Sequence, residues 1–452
     1  MGVLAKGGFV RNKIILLTGD VLVGITALIP VFRFDSLSLP MWTVWFVPVV
    51  LLFSYLCEVY QPEKWTYKER MVRSLLALVL SFVLLVLLPG KPATHAWTAG
   101  LPGLVVSLFL FFVLQHAWQN LFHKSNDADF FAEKIIVIGT GTTAKDVETL
   151  IDQSPGKYAL LGYVETPMDP ISVEREKIIG HIDNIVELAR ELNARAIVIA
   201  LTERRGNLVA DKLVTCKLMG VRIIDYPSFF EQITGKIPVE HINPSWLVQS
   251  QGFLITPFIR SLKKVVDLIL SSILLCICLP FFPVITLLIK LDSPGPVLYS
   301  QQRVGLYGKL FTIYKFRSMA RDSEKETGAS WAQENDPRAT LFGAFMRKTR
   351  IDELPQLINV FKGDMSFIGP RPERPEFVEQ ISKVTPYYPE RHALKPGITG
   401  WAQVMYPYGA SLGDSVEKLR YDLYYINNLS LFLDLIIVFE TIKIVLFRRG
   451  SR

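Results

Sequence analysis

Residues 265–291 read VVDLILSSILLCICLPFFPVITLLIKL. A helix needs about 20 apolar residues to cross a bilayer, and this run has them. Whether it crosses decides on which side the last third of the chain lies, and so decides the fold. Both flanks are basic: Lys263 and Lys264 precede the run, and Lys290, Arg303, Lys309, Lys315 and Arg317 follow. A crossing helix would put the polar C-terminal third outside the cell with its excess of Lys and Arg, against the positive-inside bias. Pro280 and Pro283 offer another solution, because each removes a backbone donor and kinks a helix. Two prolines near the middle predict a re-entrant helix–break–helix with both ends facing the cytoplasm, its freed backbone groups satisfied inside protein. An ordinary kinked spanning helix is the alternative.

Toward the N-terminus, apolar stretches at 13–33, 41–60, 72–89 and 99–122 fill residues 1–125. They predict four transmembrane helices. Lys6, Arg11 and Lys13 precede the first, and Lys64, Lys68, Glu69, Arg70 and Arg73 surround the second connection. The first connection, FDSLSLP, has no Lys or Arg, and the third, PGKPATHAWT, has only Lys91. This asymmetry predicts a cytoplasmic N-terminus and a cytoplasmic chain after residue 123. No small-residue cleavage site follows the first apolar segment, so no removable signal is expected.

Composition agrees with a membrane protein. Half of the 452 residues are hydrophobic, mean hydropathy is +0.30, net charge is +7 and the pI is about 9.0. The basic residues cluster beside apolar runs, which favours a membrane surface over nucleic acid. Cys57, Cys216, Cys276 and Cys278 lack metal-ligand spacing and imply no disulfide framework.

Residues 130–245 read as a soluble α/β domain. KIIVI (134–138), YALLGYVE (158–165), ARAIVIAL (194–201) and VRIIDYP (221–227) are strand-like and alternate with helical stretches. That order predicts a doubly wound, Rossmann-like parallel sheet. Gly139, Gly141 and Ala144 form a G-x-G-x-x-A turn after the first strand, a phosphate-cradling fingerprint with alanine in the third glycine's place. Glu165 ends the second strand, where a ribose-binding acid belongs. A module of this fold that binds no ligand, regulatory or dimerising, remains open.

Chemistry-bearing groups concentrate in residues 255–452. Ser293-Pro-Gly-Pro296 leads to Tyr299, Gln301, Arg303 and Gly305. YKFRSM (314–319) is expected to place Lys315 and Arg317 on one side of a strand. Arg347, Lys348 and Arg350 follow on a predicted helix, and then comes IDELPQLINVFKGDMSFIGPRP (351–372). Asp352 and Glu353 are adjacent, so on a helix they point about 100° apart and suit different roles. One reading makes Asp352 a helix N-cap with Gly363 as the stop. The other makes it a nucleophile or metal ligand. Pro370 and Pro372 flank Arg371 and hold its guanidinium for bidentate phosphate binding. The last apolar run, 429–447, carries Asp434, Glu440 and Lys443, which favours an interfacial helix packed on this domain.

Residues 260–450 resemble the monotopic polyprenyl-phosphate phosphoglycosyltransferases, bacterial sugar transferases that begin exopolysaccharide, capsule and O-antigen assembly. The motifs that carry the resemblance are Y-x-Q-x-R-x-G (299–305), YKFRSM, DELPQL-x-NV-x-KGDMS-x-IGPRP, KPGITGWAQV (395–404) and D-x-YYI-x-N. The layout is similar to the large undecaprenyl-phosphate galactose or glucose phosphotransferases. The resemblance implies a cytoplasmic-membrane enzyme that transfers a sugar 1-phosphate from a UDP-sugar to undecaprenyl phosphate and releases UMP. It implies Asp352 as nucleophile and Mg²⁺ ligand, Glu353 as its assistant, and phosphate or nucleotide contacts from Lys315, Arg347 and Arg371; Arg317, Pro370 and Asp422, the acid of the D-x-YY motif, are further candidates for the substrate site. It also implies a homodimer. Small members often break the re-entrant helix with Ser-Pro, whereas here Phe282 and Pro283 occupy those positions. Two other classes fit parts of the chain: an NAD-using nucleotide-sugar dehydratase or epimerase, which the lack of a Tyr-x-x-x-Lys after the sheet disfavours, and a non-catalytic scaffold.

Overall fold

A computed structural model describes residues 8–30, 42–57, 59–60, 67–87, 96–126, 132–154, 156–167, 169–201, 210–250, 252–253, 255–319, 338–406, 409 and 411–446. The connections that carry the orientation argument, at 31–41, 61–66 and 88–95, lie outside the described residues, as does Lys6. The chain divides into two compact units, Met1–Thr234 and Gly235–Arg452.

The first unit begins with helices α1 (Gly8–Ala27), α2 (Trp42–Leu56), α3 (Tyr67–Leu87) and α4 (Ala96–Asn126). Ala27, Phe46, Val50, Leu85, Leu104 and Phe111 from these four helices share one core. Arg70–Leu87 and Leu101–Phe122 are long and apolar enough to cross a membrane, while the apolar parts described for α1 and α2, Ile15–Ala27 and Trp42–Leu56, are shorter. A buried polar knot ties three of the helices: Asp20 Oδ2 accepts from Gln115 Nε2 at 2.5 Å and Gln119 Nε2 at 3.4 Å, and Gln115 also donates to Ser54 Oγ at 3.3 Å.

An α/β fold follows, with β1 (Glu133–Ile138), α5 (Thr142–Asp152), β2 (Tyr158–Glu165), β3 (Ile178–His181), α6 (Ile185–Glu191), β4 (Ala196–Ile199), α7 (Ala210–Leu218), β5 (Arg222–Asp225) and α8 (Tyr226–Thr234). All pairs are parallel and the order is β3-β2-β1-β4-β5, the doubly wound arrangement. Alternation along β1 explains the two layers. Ile135 and Val137 pack on one face with Val147 and Phe229, and Ile136 and Ile138 pack on the other with Ile185 and Leu213. The four expected strands are present, and β3 is an addition. IIGH is too short and too mixed to announce itself as a strand.

The second unit is mostly helical. It contains α9 (Pro244–Gln249), α10 (Pro257–Cys278), a 3₁₀ turn (Leu279–Phe281), α11 (Phe282–Asp292), the antiparallel pair β6 (Leu298–Val304) and β7 (Leu310–Phe316), and α12 (Leu341–Thr349). Then come a 3₁₀ turn (Ile351–Glu353), α13 (Gln356–Lys362), β8 (Ser366–Ile368), α14 (Pro375–Val384), a 3₁₀ segment (Tyr388–Ala393), β9 (Gly397–Thr399), α15 (Trp401–Met405), α16 (Leu412–Asn427) and α17 (Leu431–Leu446). Strands β8 and β9 pair in parallel. The largest core of this unit joins Trp246, Ile381, Tyr388, Trp401, Leu419, Leu423 and Ile437, and residues that sequence grouped with the α/β domain, Ile237, Val239 and Ile242, belong to it. Helix α17 packs there too, and its Asp434 is buried against Tyr425 OH at 2.6 Å and Lys263 Nζ at 2.7 Å.

The apolar run quoted first forms α10, the 3₁₀ turn and α11. Pro280 and Pro283 fall at the first positions of the two new helical segments, where a missing N–H costs least. The helix therefore restarts rather than ending. Leu268, Ile269, Ile273, Ile277, Leu279, Phe281, Val284 and Leu287 are exposed, and Pro257–Asp292 is long and apolar enough to cross a membrane. Its two ends are held by polar contacts. Near the start, Asp267 Oδ1 accepts from Ser366 Oγ at 3.1 Å and Phe367 N at 2.9 Å. At the end, Arg317 donates to the carbonyls of Ile289, Ser293 and Pro294.

Candidate active site

The site is built where β7, α12 and the turn after α12 meet. Helix α12 ends at Arg350, which takes the left-handed conformation at φ 60°. That conformation is unfavourable for a residue with a Cβ and turns the chain sharply into the 3₁₀ turn carrying Asp352 and Glu353. Asn359 on α13 locks this turn to the hairpin: its Nδ2 donates to Thr312 O at 2.7 Å and its Oδ1 accepts from Tyr314 N at 3.2 Å.

Asp352 and Glu353 are 7% and 8% exposed, and their surroundings differ. Glu353 Oε1 accepts from Lys315 Nζ at 3.0 Å and Arg371 Nη2 at 3.0 Å, with Arg350 Nη1 at 3.5 Å. Burial alone would raise its pKa, but Lys315, Arg371 and Arg350 outweigh burial and hold the carboxyl well below the usual range. Asp352 Oδ1 is buried with no hydrogen-bond partner among the described residues. Burial pushes its carboxyl up to about 6; Lys315, Arg350 and Arg347 pull it down, and the neighbouring Glu353 charge pushes it up. The N-cap reading of Asp352 is thereby overturned. Asp352 lies inside a 3₁₀ turn, and α13 begins after Pro355 with no side-chain cap. The stop at Gly363 is as expected, left-handed at φ 88°.

The Gly-Pro-Arg-Pro turn is clamped along its backbone. Gly369 N donates to Thr399 O at 2.9 Å, and Pro370 O accepts from Gly397 N at 2.9 Å. The glycines permit this approach: a Cβ on Gly369 would lie 2.3 Å from Lys395 O, and one on Gly397 would lie 2.2 Å from Gly369 N. Arg371 O accepts from Arg391 Nη2 at 3.1 Å, Pro372 O from Arg303 Nη1 at 3.1 Å, and Glu373 O from Val304 N at 3.0 Å. Pro370 is thus a backbone element of the turn.

The structure brings together Lys315, Arg350, Asp352, Glu353 and Arg371, with half-buried Arg347 on the adjoining helix turn. Two expected substrate residues stand elsewhere. Strand β7 ends at Phe316, so Arg317 escapes the alternation that predicted it beside Lys315. It is 7% exposed and bonds Ser293 Oγ at 2.8 Å as well as the three carbonyls at 289–294. Asp422 is 1% exposed and accepts from Arg391 Nε at 3.0 Å and Nη2 at 2.6 Å. Neither group is turned to the carboxylates. Arg391 had no sequence signal beyond its place before KPGITG.

The G-x-G-x-x-A turn of the first unit is also different from its sequence reading. Thr140 N and Gly141 N, the donors that would cradle a phosphate, both donate to Asp169 Oδ2, at 2.7 and 2.8 Å. Gly139 is needed at φ 119°, where a Cβ would lie 2.6 Å from Ala200 O. Ala144 is buried under the turn. The chain's own carboxylate takes the anion's place.

Comparison with known proteins bears on the second unit most. The model of the bacterial sugar transferase family matches residues 258–448. A UDP-N-acetylgalactosamine-undecaprenyl-phosphate N-acetylgalactosaminephosphotransferase of Aeromonas hydrophila is 43% identical over 240 residues, 53% of this chain and 56% of that protein. An undecaprenyl-phosphate glucose phosphotransferase of Komagataeibacter xylinus is 32% identical over 361 residues, 78% of this chain and 66% of that protein. An undecaprenyl-phosphate galactose phosphotransferase of Salmonella typhimurium is 31% identical over 353 residues, 73% of this chain and 71% of that protein. The chain thus spans about 56% and 66% of the lengths of the first two relatives.

Proposed function

The chain belongs to the bacterial sugar transferase family, as a relative of the polyprenyl-phosphate phosphoglycosyltransferases, and from that premise we propose that it transfers a sugar 1-phosphate from a UDP-sugar to undecaprenyl phosphate. The observation that carries this reading is the division of labour between two adjacent acids. Glu353 collects the cations, and Asp352 keeps a buried oxygen free.

In the first half-reaction, an Asp352 carboxylate oxygen attacks the β-phosphorus of the donor. The bond from that phosphorus to the bridging oxygen breaks, and UMP leaves with the electron pair. The product is an aspartyl phosphosugar. In the second half-reaction, an oxygen of undecaprenyl phosphate attacks the same phosphorus. The bond to Asp352 breaks, the carboxylate is regenerated, and undecaprenyl diphosphate sugar departs. Desolvation makes Asp352 a more basic and hence better nucleophile than a solvated aspartate, while its pKa of about 6 leaves it mostly ionised at neutral pH. Lys315, Arg350 and Arg371 are positioned to take the negative charge of the diphosphate. Glu353 fits the role of their anchor better than that of a base, because three cations make its carboxylate a poor proton acceptor.

The groups present are compatible with Mg²⁺. No three His, Cys, Asp or Glu side chains converge among the described residues, but Mg²⁺ commonly takes one or two carboxylates and completes its shell with water and substrate phosphates. The orphan Oδ1 of Asp352 would supply such a ligand. When bound, the ion would neutralise diphosphate charge.

Polar contacts at both ends of Pro257–Asp292, to Ser366 and Phe367 and to Arg317, support a segment that enters and leaves on one membrane face. With four N-terminal crossings, both soluble domains would then be cytoplasmic. The relatives' sugars differ, so the donor is a question for experiment. Detergent-solubilised protein, Mg²⁺, undecaprenyl phosphate and UDP-linked glucose, galactose and their N-acetyl forms test the proposal. UMP release with one or two sugars, lost in Asp352→Asn, supports it. No UMP from any donor, with no phosphosugar adduct on Asp352 by mass spectrometry, overturns it.

A further inference from the structure

We infer that Arg391 and Asp422 are positioning residues that act through Arg371, fixing the turn that gives its guanidinium to Glu353 and so leaves Asp352 as the free carboxylate. This deepens the proposed transferase reading and rests on it for the role of Arg371.

Three consecutive carbonyls, at residues 371, 372 and 373, are each held by a donor: Arg391 Nη2, Arg303 Nη1 and Val304 N. A turn between two prolines is already restricted in φ, and these bonds fix its placement as well. Arg391 is 4% exposed and uses every nitrogen: Nε and Nη2 on Asp422 Oδ2, Nη1 on Tyr388 OH at 2.7 Å, and Nη2 also on Arg371 O. Asp422 is 1% exposed, on α16. A buried ion pair is a poor way to gain stability, since desolvation offsets the attraction. Here the pair leaves one guanidinium edge aimed at the backbone of the turn that carries Arg371. Its geometric consequence is at the other end of that residue, where Arg371 Nη2 meets Glu353 Oε1 at 3.0 Å. If Arg371 swung to Asp352 instead, the unpaired oxygen would gain a cation and the two acids would lose their distinction.

The test replaces both members of the pair by apolar residues of similar size, Arg391→Met with Asp422→Leu, so that no unpaired charge is left buried. UMP release by the full-length protein is compared with and without Arg371→Ala. The expected loss in kcat/KM is about 10–100-fold in the otherwise wild-type background and less than about twofold beside Arg371→Ala, the non-additivity expected of residues that work as a unit. An equal loss in both backgrounds overturns the inference. A second readout needs no catalysis: thermal unfolding of Glu353→Gln, Arg371→Ala and their combination, in each background. The coupling between Glu353 and Arg371 should shrink when the Arg391–Asp422 pair is absent, and an unchanged coupling refutes the positioning role. A protein that releases no UMP from any donor refutes the transferase reading alone, and the thermal cycle still decides the positioning. If the apolar pair does not fold, Asp422→Asn, which keeps an acceptor but removes the charge, takes its place in both readouts.

Discussion

Asp352 and Glu353 are neighbours in sequence and equally buried, yet one oxygen of Glu353 faces three cations while Oδ1 of Asp352 faces none within hydrogen-bond reach. The left-handed Arg350 produces the difference. It closes α12 one residue before the 3₁₀ turn that carries both acids, and of the two it is Glu353 that bonds Lys315 and Arg371.

Asp352→Asn is expected to lower UMP release by about 10³-fold or more and to stabilise the protein. Burial raises the Asp352 carboxyl from 3.8 to about 6, so the folded state binds its proton more tightly than the unfolded chain does. The folded state is therefore penalised in full above pH ~6, and the penalty disappears below the unfolded value. An amide carries no such penalty. Thermal unfolding should show a gain on the order of 2–3 kcal/mol at pH 7.5 and none below pH ~3.8. A loss of stability at pH 7.5 would contradict the burial of an unpaired carboxylate.

Wild-type UMP release should rise with pH through about 6, as Asp352 loses its proton, and then level off. Initial rates between pH 5 and 8 at saturating donor give the profile. A limb that moves from about 6 toward 4 as Mg²⁺ is raised would place the ion on the Asp352 carboxylate.

Glu353→Gln should do the opposite to stability. The Glu353 carboxyl is held well below its ordinary 4.5, so its contribution is present above that value and is lost as pH falls through the folded one. The partners are partly exposed, which limits the effect to about 1–3 kcal/mol at pH 7. The difference from wild type should shrink in acid. Denaturant titrations at pH 7 and pH 3 make the comparison.

Asp169→Ala tests the filled turn of the α/β domain. It strips the carboxylate from Thr140 N and Gly141 N, leaving two donors unsatisfied at a cost of about 2–4 kcal/mol. Inorganic phosphate should restore part of the lost thermal midpoint in this variant and leave the wild type unmoved. Equal responses of the two proteins would show that the turn does not accept an anion in place of Asp169.

Local pattern reveals some of this molecule and hides the rest for physical reasons. The alternation of β1 and the prolines at 280 and 283 are local signals: the parallel sheet was legible from the first, and from the second only the place where a 3₁₀ turn interrupts the long helix. Asp352 and Glu353 could be selected, but not assigned to different jobs, because the cations come from positions 315, 350 and 371. Asp169 meets its turn across 28 or 29 residues, and Asp422 meets Arg391 across 31. Such pairs leave no trace in spacing. Strand β3 was hidden because four half-buried residues carry little periodicity.

Arg317 provides the last test, because its chemistry invites the wrong role. It follows Lys315 by two residues and has the guanidinium that suits phosphate. Its guanidinium is instead occupied by the carbonyls of Ile289, Ser293 and Pro294 and by Ser293 Oγ. These bonds satisfy acceptors at the end of α11, where an α-helix leaves its last carbonyls unpaired. Gly295 belongs to the same arrangement, since a Cβ there would lie 2.2 Å from Arg317 Nη1. Arg317→Met should therefore destabilise the protein by about 2–4 kcal/mol through the acceptors it orphans, while KM for the UDP-sugar changes less than about twofold in the folded fraction. Lys315→Met, two residues earlier, should raise KM or lower kcat at least about tenfold. Steady-state UMP release, normalised to folded protein from thermal unfolding, separates the two. A tenfold rise in KM for Arg317→Met at full stability would return that residue to the substrate site.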